Sequence, residues 1–122
     1  MSSTAPRELL LSSIWEGVRA WGPEALQNVP AARRAVESGA DPEDLVALMR
    51  VVAYDTAFGL LAVLDEHGSD RVPFGAPGWA LVAATEHGDG RLEIGSAAEF
   101  ECLHEDLLTS DPTGQEGGDF LT

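Results

Sequence analysis

Glu101 and His104 stand three residues apart, a spacing that sets a carboxylate and an imidazole side by side on one turn of a helix. Di-iron helical bundles hold metal with that pair, but they need two such motifs and two further glutamates from facing helices. This chain has one, and alone it reads as a solvated helix face. Cys102 and His104 are two apart, on different sides of a helix, so they do not make a nucleophile–base pair there. His67, His87 and His104 lack the paired spacing of a zinc site. Gly88-Asp89-Gly90 is a turn and no phosphate loop. Gly95-Ser96-Ala97 lacks the second glycine of a nucleophile elbow. The expectation is therefore no metal, no cofactor and no catalytic set, which favours a binding protein over an enzyme.

One polar group does invite a pocket. Arg50 lies between Met49 and Val51 in an apolar stretch, with Tyr54 one turn on and Asp55 beside it. An arginine in such surroundings must find a carboxylate or snorkel to the surface. An internal ion pair is the plain reading; a polar pocket for an anionic group around Arg50, Tyr54 and Asp55 is the functional one.

These residues must be positioned by helices. Asp41-Pro42-Glu43-Asp44 starts the longest, with a capping carboxylate, a proline at the first position and acids against the positive end of the dipole. Leu45, Met49, Val52, Ala53, Thr56, Leu60, Val63 and Leu64 follow at helical spacing, and Gly68 offers a terminator. This stripe is expected to face the core, with Leu60 among its anchors. Leu48, Val51, Phe58, Leu61 and Ala62 make the opposite side apolar as well, so other elements should wrap the helix on most sides. Its length would also span a bilayer, but Arg50 and Asp55 lie within it on different faces, which argues for a core helix and no membrane span.

Before it, a helix is expected from Pro6 to about Trp21, with Leu10, Ile14, Val18 and Trp21 inward, and another from Pro30 to Ser38, closed by Gly39. After it, Trp79–Glu86 and Arg91–Gly95 read as a hairpin. A four-residue loop would set Glu86 against Arg91, whereas a two-residue turn would set Glu86 against Glu93, so charge pairing favours the longer loop. Ser96-Ala97-Ala98-Glu99 is a capping box for a last helix holding Phe100, Leu103 and Leu107 inward. The expected fold is α+β and predominantly helical: a long central helix wrapped by N-terminal helices, one β-hairpin and a C-terminal helix. Residues 1–112 form one globular domain. Residues 113–122 form a glycine-rich acidic tail, mobile unless Phe120-Leu121 docks back.

Charge supplies the remaining signal. Twenty-one acids face seven arginines and no lysine among 122 residues, a net charge of −14. After Arg91 come eight acids and no base. Such a field repels nucleic acid and anionic membrane and favours a cationic partner or plain solubility. The single Cys102 fits a reducing, cytoplasmic setting. The leading expectation is a small non-catalytic interaction domain, of immunity or antitoxin type, covering a basic protein partner through Glu101, Glu105 and Asp106. A self-associating domain, homo-oligomeric through its hairpin, and a small-ligand or enzymatic domain using the Arg50 group are the alternatives.

Overall fold

A computed structural model describes residues 5–65 and 73–122. Gly68, His67 and the start of the loop after the long helix lie outside the described residues. The chain is α+β and mostly helical. Helix α1 spans Pro6–Arg19, α2 Ala25–Asn28, α3 Pro30–Glu37 and α4 Pro42–Asp65. Strands β1 (Ala84–Glu86) and β2 (Leu92–Ile94) form an antiparallel hairpin. A 3-10 turn at Ala97–Phe100, helix α5 (Leu103–Leu107) and a second 3-10 turn at Leu108–Ser110 complete it.

The helix starts follow their local chemistry. Proline opens α1 and α3, where its missing N–H has no partner to lose. Asp41 accepts the Glu43 amide at 2.9 Å ahead of α4. Gly39 ends α3, its N–H donating to Val36 and that of Ala40 to Ala35, each at 3.0 Å, the paired bonds of a Schellman ending.

The core centres on Trp15 of α1, not on the long helix. Trp15, Leu103 and Leu107 are fully buried, joined by Leu11, Val18, Tyr54, Leu61, Phe100 and Phe120. The Trp15 indole N–H donates to the Leu107 carbonyl at 2.7 Å, so its polar edge is satisfied while its ring packs on Tyr54, centroids 5.6 Å apart. Helix α4 contributes only Tyr54 and Leu61 to the buried set. Part of the stripe expected to face inward is turned away: Leu60 is 59% exposed and Val52 55%, while Ala53 and Leu64 pack against the core. Both sides of α4 are apolar, so periodicity located a stripe without saying which one the neighbours would cover. Trp21 likewise falls past the end of α1 and stays 38% exposed.

The hairpin takes neither expected register. Glu86 faces Leu92, Thr85 faces Glu93 and Ala84 faces Ile94. Turn geometry outweighs charge pairing here. His87 and Arg91 close a three-residue loop, with the His87 N–H donating to Arg91 and that of Gly90 to His87, each at 2.9 Å. Gly90 sits at φ +87°, the left-handed position such a loop requires. Arg91 is satisfied locally, its Nε donating to Asp89 at 2.6 Å. Trp79 and Leu81 rest against the body, the indole donating to Val63 at 2.9 Å. Leu92 and Ile94 of β2 are 63% and 60% exposed.

Residues 113–122 lie folded onto the domain. Phe120, one of the pair allowed to dock back, is buried in the core. Buried Asp111 organises the segment, accepting from Arg19 Nη2 at 2.5 Å, the Gly117 amide at 2.9 Å and the Thr113 amide at 3.1 Å. Arg19 also donates to Asp119 at 3.0 Å, and its guanidinium covers the Trp15 and Phe120 rings at 5.3 and 5.5 Å.

Candidate functional site

Arg50, Tyr54 and Asp55 do not gather round one pocket. Arg50 Nε donates to the Trp21 carbonyl at 2.6 Å and Nη2 to that of Arg19 at 3.4 Å, pinning the end of α1, where carbonyls lack helical partners. Its other nitrogen stands 3.6 Å from the Asp119 carboxylate. Tyr54 points elsewhere, into the core against Trp15, where burial, helped by the charge of Asp55, pushes its phenol up. Asp55 is exposed. The structure therefore separates the three residues. Arg50 does line a cavity of about 310 Å³ with Leu26, Asp119 and Phe120, but the bonds it makes already occupy it.

The last helix is also not the continuous one expected. Cys102 takes a left-handed conformation, φ +56°, and breaks the run between the 3-10 turn and α5. Ser96 still accepts the Ala98 amide at 3.1 Å, so the cap is real while the helix behind it is short. Arg7 fills the break: Nη1 donates to the carbonyls of Glu101 at 2.6 Å and Glu99 at 3.3 Å, and Nη2 to the Asp106 carboxylate. Glu101 and Glu105 are exposed but stand on opposite sides of this break, so they do not form the stacked pair expected of one helix. Asp106 is already ion-paired with Arg7.

His104, expected to point outward, turns toward the body. Its ring Nδ1 meets the Asp65 carboxylate, which also accepts the His104 amide at 3.0 Å; the ring edge lies on Phe58 at 5.5 Å. Glu101 and His104 thus do not sit side by side. Among the described residues, no three His, Cys, Asp or Glu side chains form a group able to hold a metal ion. The Glu105 carboxylate foremost, with some desolvation and the charges of Asp65 and Glu101, pushes the Cys102 thiol up. That is the reverse of an activated nucleophile.

What the body does present is the bare side of α4. Leu48, Val52 and Leu60 are 58%, 55% and 59% exposed. With Trp21, Met49 and Thr56 they line a groove of about 590 Å³. Monomeric domains rarely leave a contiguous apolar patch open without using it. Two acids of α4 flank it. Asp44 and Asp55 are exposed, stand eleven residues apart and so project along one line of the helix beside Leu48 and Val52. Neither forms an ion pair among the described residues. By contrast Arg7, Arg19, Arg50 and Arg91 are all engaged with the chain's own carboxylates.

Sequence reasoning missed this face because it had assigned the same residues to the core. The readable signal was their excess: apolar residues circle α4 more completely than a domain of this size can cover. By length and composition α4 is long and apolar enough to cross a bilayer, and little of it is buried. Comparison with known protein families, with curated sequences and with solved structures gave no match.

Proposed function

We propose that this chain is a non-catalytic interaction domain that docks a basic protein partner, in the manner of an immunity or antitoxin protein covering its target. The observation that carries the reading is the open apolar face of α4 on a molecule of net charge −14. Apolar surface of this kind supplies affinity on burial, and the surrounding negative field speeds encounter with a cationic surface. The acids at Glu101, Glu105 and Asp106, first expected to be the contact, contribute to that field at longer range; the contact itself moves to α4.

A photo-crosslinking amino acid placed singly at positions 52, 105 and 27, with the chain expressed in its own cells, tests the reading. We expect one discrete adduct with another protein from position 52 and none from Gln27. Adducts from position 105 but not 52 would return the contact to the C-terminal acids. No protein adduct from either position would overturn the reading.

A further inference from the structure

The face has a shape and a charge pattern that narrow its occupant. Leu48, Val52, Thr56 and Leu60 recur at four-residue steps on α4, with Met49 and Gly59 beside them, and no charged side chain interrupts the strip. From Leu45 to Val63 it runs about 27 Å at 1.5 Å per residue. Trp21 and Val29, from the connections around α2, close one side. Asp44 and Asp55 mark the other, about 16 Å apart along the axis. A long, narrow, apolar trough of this kind matches one helix laid lengthwise.

Charge selects which helix. A second copy of this chain would bring its own Asp44 and Asp55 line toward the same strip, like against like, under a net charge of −14 on each molecule. An anionic bilayer would be repelled in the same way. A helix with Lys or Arg beside an apolar stripe meets Asp44 and Asp55 favourably, and among the described residues neither carboxylate has an ion-pair partner to give up.

We infer that the α4 groove receives one amphipathic helix of about 18 residues from the partner, its apolar stripe on Leu48, Val52 and Leu60 and its basic flank on Asp44 and Asp55. The inference rests on the interaction reading above and specifies what enters the face.

The test uses three labelled helical peptides of about 18 residues, followed by fluorescence anisotropy. The first has leucines at i, i+3, i+4 and i+7 with lysine flanks, the second has glutamate in place of each lysine, and the third scrambles the first. Only the first should bind. Val52→Asp should weaken it about tenfold or more. Val52 is largely exposed, so the melting temperature of that variant checks that folding is intact. The decisive comparison pairs Asp44→Lys/Asp55→Lys with Glu101→Lys/Glu105→Lys, since both change net charge equally. The first pair should weaken binding about fivefold or more at low salt and flatten its salt dependence. The second should change it less than about twofold.

Equal loss from both pairs, or equal binding of the scrambled peptide, would show only nonspecific charge attraction and overturn the inference. Self-association that Val52→Asp abolishes would make a second copy the occupant and overturn it as well. So would binding of the chain to phosphatidylcholine vesicles through the same residues. If position 52 crosslinks to a protein in cells while the basic peptide fails to bind, the interaction reading stands and the helical occupant falls.

Discussion

Asp111 shows how one side chain can hold a whole segment. Burial pushes its carboxyl up, but the Arg19 guanidinium and the amides of Gly117 and Thr113 outweigh that and hold it well below the usual carboxylate range. Its partner Arg19 is raised, through hydrogen bonds to Asp119 and Asp111. Removing Asp111 leaves Arg19 with Asp119 as its remaining carboxylate and leaves the Gly117 and Thr113 amides without their acceptor, so Asp111→Ala should cost about 3 kcal/mol in chemical denaturation. The sign of the pH dependence follows from the lowered value. Stabilisation by Asp111 is complete above its unfolded pKa of about 3.9 and is lost as pH falls below that value toward the folded one. The gap in melting temperature between the parent and Asp111→Asn should therefore narrow as pH is lowered from 5 to 3. A gap that stays constant would remove Asp111 as the acid-sensitive tie. Gly117 is bound to the same hub: its φ is +70° and an added Cβ would lie 2.6 Å from Leu121, so Gly117→Ala should destabilise as well.

Among the elements, α4 separates two kinds of apolar residue that look alike in sequence. Leu61 is 3% exposed and Leu60 59%. Leu61→Ala should cost about 2–5 kcal/mol in urea unfolding, whereas Leu60→Ala should cost well under 1 kcal/mol. Gly59 lies on the open side, where an added Cβ would meet nothing within 4 Å. Gly59→Ala should stabilise the isolated chain by up to about 1 kcal/mol; a loss would mean that α4 is covered there in solution. The element boundaries were legible where local chemistry sets them: Pro6, Pro30, Asp41 and Gly39 each start or stop a helix as their backbone and capping properties require. Facing was not legible, because both sides of α4 satisfy the same periodicity. Nor was the break at Cys102, since neither glycine nor proline marks it and it depends on Arg7, more than ninety residues away, to receive the freed carbonyls. The candidate site was half visible in the same way. Its acidic border stands out in composition, but its apolar floor was assigned to the interior.

At the scale of the whole molecule, charge is unevenly spent. Arg7, Arg19 and Arg50 tie α1 and α4 to carboxylates of the C-terminal segment, and most of the remaining acids stay in solvent. Self-repulsion of such a surface weakens as salt rises, so the melting temperature should increase between about 20 and 300 mM salt, measured by circular dichroism. A fall over that range would show that the stabilising ion pairs outweigh the repulsion. The buried Arg19–Asp111 pair is shielded from this screening, and the exposed Arg91–Asp89 pair contributes little at any salt.

The ties between α1 and the last quarter of the chain also bear on how the protein is born. Trp15 bonds Leu107, Arg19 bonds Asp111, and Phe120 completes the packing around both. A ribosome releases α1 well before those partners, which follow some ninety residues later. At about 5–20 residues per second, α1 waits several seconds with Leu11, Trp15 and Val18 uncovered, beside an α4 that is apolar on two sides. Until Leu103, Leu107 and Phe120 emerge the nascent chain is at its stickiest, and folding is a closing event that these residues permit.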